Sequence, residues 1–199
     1  MKKLTSALIV VAALTLSIAA HASPITLTFA ATDANLTLGN TAYDGVSFSV
    51  SMSADTINID TSKYGPSTPV YDSLLATMSI SGGPSVTFPV YVFSNQEVQA
   101  VGFGDTVHYD LFDVNDPGVG LSAYGLTTAF GPISSSDVSA LNQWSNLATS
   151  GGTMTVSSVA LGTFEATMGS SVPEPGTLGL LGVGLVGLLL TSRKREGRA

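Results

Sequence analysis

The central part of the chain predicts an all-β fold, a single antiparallel β-sandwich of jelly-roll type with one short helix, and three observations carry that expectation. Between residues 23 and 171 apolar side chains recur at every second position. Turn-forming glycine and proline separate these runs at short intervals, and only one segment has the three-residue spacing of a helix.

The first element lies outside that fold. Lys2 and Lys3 open a positive stretch, Ala7 to Ile18 is apolar, and Ala20-His21-Ala22 puts small residues at the two positions a signal peptidase reads. Residues 1–22 therefore read as a secretory signal peptide cut between Ala22 and Ser23, with Ala20, Ala22 and Ser23 defining the site. A permanent membrane helix fits less well, because the apolar part is short and no basic cluster follows it.

Residues 23–171 form one exported domain, long enough for a hydrophobic core and short for two. They hold Lys63 as their single basic side chain against twelve carboxylates, a net of −11. Such a field repels polyanions, which makes nucleic acid and anionic lipid surfaces poor partners and leaves divalent cations and neutral sugars. Cysteine is absent, so thiol catalysis, thiolate metal sites and disulfides are excluded, and the domain rests on burial and backbone hydrogen bonds.

Ile25, Leu27 and Phe29 alternate with threonines, and Val46, Phe48, Val50 and Met52 follow the same rule. Leu74 to Ile80, Val86 to Val90, and Val107, Tyr109 and Leu111 continue it, and further strands are expected around Met154–Val156 and Thr163–Thr167. One polar face per strand is the pattern of antiparallel sheets. Asp44-Gly45, Gly65-Pro66, Gly82-Gly83, Asp116-Pro117-Gly118, Gly131-Pro132 and Gly151-Gly152 supply the turns. The exception is Val138, Leu141, Trp144 and Leu147, which predict a short helix from Asp137 to Leu147 capped by the preceding serines or Asp137. Trp144 on that stripe is expected in the core.

Chemistry is sparse in this sequence. His108 is the only histidine beyond the signal peptide, so any imidazole-based site would rest on it, and alternation puts it on the solvent face. No phosphate-binding glycine loop precedes Lys63. The densest oxygen cluster is Asp110, Asp113, Asn115 and Asp116, which offers calcium several hard ligands beside a turn; the alternative is an acidic turn whose side chains bond their own backbone. Asp55, Asn58 and Asp60 form a sparser second cluster. No other cofactor is expected. Tyrosines 43, 64, 71, 91, 109 and 124 are candidates for sugar stacking where exposed, and for packing where buried.

The last 28 residues have three parts. Val172-Pro173-Glu174-Pro175 is rigid and fences the start of a helix. A membrane helix is expected over residues 176–192, built on the uncharged run Gly176 to Leu190, and residues 193–199 are a basic tail with Arg193, Lys194 and Arg195 as the topological stop. Fifteen residues span roughly 22 Å of a hydrocarbon layer about 30 Å thick. The run is thus short, its glycines contain no pair four apart, and it reads as a temporary hold.

That order of parts resembles the PEP-CTERM sorting signal of Gram-negative bacteria, with Pro173, Glu174 and Pro175 as the motif. The resemblance covers about one seventh of the chain. It implies an exported protein that meets signal peptidase, stands transiently in the inner membrane, is recognised by an exosortase, a membrane-embedded cysteine transpeptidase, and ends at the cell surface or outside the cell. The setting it implies is a non-enzymatic surface or matrix protein among exopolysaccharides of a biofilm. The alternative is a carbohydrate-binding or carbohydrate-cleaving enzyme on a jelly-roll scaffold, and the fold alone does not decide between them.

Overall fold

The computed structural model describes residues 23–170, apart from His108, Asp137 and residues 140–142. The expected signal peptide and the tail from residue 172 lie outside the described residues. Among those described, no helix is long and apolar enough to cross a membrane.

The strands are β1 (Pro24–Leu38), β2 (Thr41–Asp55), β3 (Val70–Ile80), β4 (Ser85–Asn95), β5 (Ala100–Asp105), β6 (Tyr109–Asn115), β7 (Phe130–Ser135), β8 (Val138–Ser139), β9 (Leu147–Thr149), β10 (Gly152–Ser158) and β11 (Leu161–Met168). Single 3-10 turns occur at Thr56–Asn58 and Leu121–Ala123. The all-β, antiparallel expectation holds, in the form of one continuous curled sheet with the order β7-β11-β1-β2-β3-β4-β5-β6-β8. β1 to β6 pair in sequence as a meander, without the crossed connections of a jelly roll; short turns join successive strands except between β2 and β3, where residues 56–69 intervene. The tightest is Gly39-Asn40, where Gly39 at φ +57° supplies the first position of a type II′ hairpin between Leu38 and Thr41.

β1 organises the curl. Ile25 to Thr32 pair with β11, then the strand bulges near Asp33 (φ +49°), and Asn35 to Leu38 pair with β10. The far side of the sheet comes round to meet the near side, with β6 touching β7 and β11. At one end the register Ile25 opposite Met168 continues into a bond from the Gly169 amide to the Pro24 carbonyl, 2.7 Å, and the Thr56 amide reaches the Ser23 carbonyl at 3.2 Å. The two ends of the domain thus leave side by side.

Alternation explains the interior. Ile25, Leu27, Phe29, Val50, Met78, Val86, Phe88, Met154, Val156 and Phe164 are all buried as their strands require. Phe103 is the hub, with Phe29, Phe112 and Trp144 rings at 5.1, 5.7 and 5.5 Å. Trp144 is fully buried, as expected.

The expected helix from Asp137 to Leu147 is corrected at both ends. Val138–Ser139 form β8 on the edge of β6, and Leu147 opens β9. Docking to an open strand edge satisfies backbone groups that a marginal eleven-residue helix would have to satisfy alone, so tertiary pairing overrides the local spacing. Gly131-Pro132 lies within β7, an edge strand, where a missing amide is tolerated. Val107 and Tyr109 are not inward: both are 72 % exposed, and the phase changes at a bulge before Phe112.

Candidate functional site: an aromatic and acidic trough

The outer face of β3 to β6 departs from the polar surface of a solvated sheet. On β5 the outward positions are Gly102 and Gly104, flanked across the ladders by Phe93 and Asp113 in one row and Tyr91 and Asp110 in the next. With no side chain on β5, the β4 rings lie across it. A Cβ at Gly102 would meet the Asp113 carboxylate and the Phe93 ring, and one at Gly104 would meet the Tyr109 carbonyl and the Tyr91 hydroxyl. Tyr91 donates to Asp110 Oδ1 at 2.8 Å. Burial, then the Asp110 carboxylate, push the Tyr91 hydroxyl far above its ordinary value, which keeps it a donor.

Val70, Tyr91 and Phe93 form a small apolar cluster separate from the main core. The connection between β2 and β3 covers it. Asp60 shapes that connection by accepting from Ser62 and from the Lys63 amide, and the two Ser62 bonds lower its carboxyl below the usual range. The Tyr64 ring then stands 6.4 Å from Tyr91, and Lys63 Nζ lies 5.3 and 5.9 Å from the two ring centroids. Lys63 Nζ also donates to Asp72 Oδ1 at 2.6 Å, and that bond raises the ammonium above its ordinary value. The one cation of the exported domain is thus clamped between a carboxylate and two rings.

Beside this clamp runs a trough. A cleft of about 260 Å³ is bounded by Lys63, Asp72, Ser73, Pro89, Tyr91 and Asp105 among others. A second, about 380 Å³, shares Pro89, Asp105 and Thr106 with the first and continues past Val107 to Asn146 and Ala148. Asp105 Oδ1 accepts the Val107 amide at 3.0 Å, which fixes the turn at the middle of the trough.

The proposed calcium residues are placed by β6. Asp110 opposes Gly104, Asp113 opposes Gly102, Asn115 opposes Ala100, and Asp116 follows in the turn. Among the described residues no three histidine, aspartate or glutamate side chains gather to hold a metal ion. Asp55 and Asp60 accept from backbone amides two residues on, the behaviour of turn-forming aspartates. Of the signal cleavage residues only Ser23 is described; Ala20, Ala22, Pro173, Glu174, Pro175, Arg193, Lys194, Arg195 and His108 lie outside. Of the tyrosines, 71, 91 and 124 are buried and 64 and 109 exposed. The glycine face beside the trough has a signal in the sequence, the pair Tyr91 and Phe93 at alternate positions ahead of Gly102 and Gly104, also at alternate positions; the trough has none, because its walls come from separate strands and loops.

Residues 171–195 match the family model of the PEP-CTERM protein-sorting motif. No curated protein and no solved structure matches the chain. The matched segment contains Pro173-Glu174-Pro175, the apolar run and the basic cluster in one piece and follows the last strand directly. The chain therefore carries at its C-terminal end a PEP-CTERM sorting signal, the address of an exported protein that an exosortase handles.

Proposed function

We propose that this protein is a non-enzymatic surface or extracellular-matrix protein, cleaved by signal peptidase, held briefly in the inner membrane, processed by an exosortase and delivered among the exopolysaccharides outside the cell. The match of residues 171–195 to the sorting motif carries the reading. The engagement of the carboxylates in and beside the trough supports a role without catalysis: within it Asp72 is bound to Lys63 and Asp105 to the Val107 amide, and beside it Asp110 is bound to Tyr91. A glycoside hydrolase needs one carboxyl acting as acid and another as base or nucleophile on opposite sides of a bond.

The test is mass spectrometry and cell fractionation of the protein in its native host. The expected mature form begins at Ser23, lacks the basic tail, and is found with the matrix. Replacing Pro173→Ala together with Glu174→Ala is expected to leave a full-length precursor in the membrane fraction. Normal release of that double variant would sink the sorting assignment.

A further inference from the structure

We infer that the trough is a binding site for a neutral sugar chain, an inference that rests on the reading above that the protein works among polysaccharides. A sugar ring presents apolar C–H faces and a rim of hydroxyls, and the trough is divided the same way. Pro89 and Val107, both exposed, provide apolar surface along its course, while Asp72 with Lys63 stands at one end and Asn146 at the other. Hydrogen bonds between sugar hydroxyls and charged groups such as the Asp72–Lys63 pair are stronger than those between neutral partners.

Length argues for a chain over a single ring. The two clefts share Pro89, Asp105 and Thr106 as a common wall, so they lie end to end across β3, β4, the β5–β6 turn and the start of β9, and successive rings of one chain would occupy both. Charge argues for a neutral one. With twelve carboxylates against Lys63, uronate, phosphate or sulfate chains are repelled. A protein partner is disfavoured as well, since stable protein interfaces centre on a packed apolar core with aromatic and arginine anchors, and the exported domain contains no arginine.

The walls are preorganised. Lys63 is held by Asp72 and two rings, the Tyr91 hydroxyl by Asp110, and the Asp105 turn by the Val107 amide. Few rotamers remain to be frozen when a ligand enters, so weak contacts repeated along a chain retain more of their strength.

The test uses mature protein recovered from its host, run in native gels containing hydroxyethyl cellulose, dextran or galactomannan, with alginate as the anionic contrast. Thr106→Glu with Ala148→Glu places bulk and charge in the middle and far end of the trough at two exposed positions. Retardation of the wild type by at least one neutral polysaccharide, none by alginate, and binding weakened about tenfold or more in the double variant at an unchanged Tm is the expected result. If the double variant melts early, Ala148→Glu alone replaces it. The inference is overturned if no neutral polysaccharide retards the wild type, if alginate does so, or if a stably folded variant binds as the wild type does. These failures leave the reading of the protein as a matrix component standing, because that is decided separately by fractionation of the cells.

Discussion

Replacing Phe103→Ala removes the ring on which the interior converges. Phe103 is fully buried and lies within ring contact of Phe29, Phe88, Phe112 and Trp144, the Phe112 pair being stacked at 15°. Truncating a buried phenylalanine to alanine costs about 3–5 kcal/mol, lost transfer energy and the remaining cavity together. Four aromatic partners on a short, wholly buried strand put this site toward the upper end, since the walls have little freedom to collapse. For a domain of this size each kcal/mol lowers Tm by roughly 2–4 °C, so a fall of about 10–15 °C is predicted. The assay is thermal unfolding followed by Trp144 emission. The chain has one tryptophan, and it stands 5.5 Å from the deleted ring, so the folded variant should also emit at longer wavelength. Leu75→Ala, at a position 67 % exposed, serves as the control and should stay within about 0.5 kcal/mol of the wild type. A Phe103→Ala protein that melts within about 3 °C of wild type would refute the account of the core.

Tyr71 gives a pH prediction. Its hydroxyl donates to the Leu126 carbonyl at 2.9 Å, and burial, with a smaller contribution from Asp55, pushes it up to about 12. The folded state holds this proton more tightly than the unfolded one, so its contribution is complete below pH 10 and is lost as pH rises from about 10 to 12. Tyr71→Phe should flatten the fall of Tm over that window, and parallel curves for the two proteins would count against the argument. Gly104→Ala should cost about 1–3 kcal/mol because the new Cβ meets backbone and a ring held in place, whereas Gly125→Ala, with its nearest atom 3.8 Å away, should be nearly neutral by urea titration. Equal losses at the two sites would reject the packing described for β5. Calcium at millimolar concentration, or a chelator, should leave Tm unmoved; a rise with calcium would show that the folded domain binds the ion.

Much of the sheet was legible in residue order because period two is a direct image of one buried face. Ile25-x-Leu27-x-Phe29 and Val86-x-Phe88-x-Val90 could be assigned inward without a structure. β5 was not legible, since glycine at 102 and 104 gives no polar outward signal and the strand is buried on both sides. The second half of β4 was hidden for the related reason that Tyr91, Val92, Phe93 and Ser94 are all buried, so alternation disappears. The helix expected around Trp144 failed at its ends because Val138 and Leu147, the first and last residues of its stripe, pair as strands with β6 and β10. Asp110 and Asp113 stood out as oxygen donors, but Tyr91, which bonds Asp110, comes from another strand, and the trough beside them takes Lys63 from a distant loop and Asp72 from β3. Only the register of the sheet brings them together.

The adjoining exits of β1 and β11 have a mechanical consequence. Ile25 opposes Met168 in an antiparallel ladder, so tension applied between residues 23 and 170 opens it as a zipper, one hydrogen bond after another, and does not shear the bonds together. Zipper loading is the weak direction of a sheet. A chain still fastened at both ends would expose its first and last strands to that pull. If the leading segment is cut away, as proposed above, at most one tether remains, and no steady load can be carried across the seam that joins the beginning of the domain to its end.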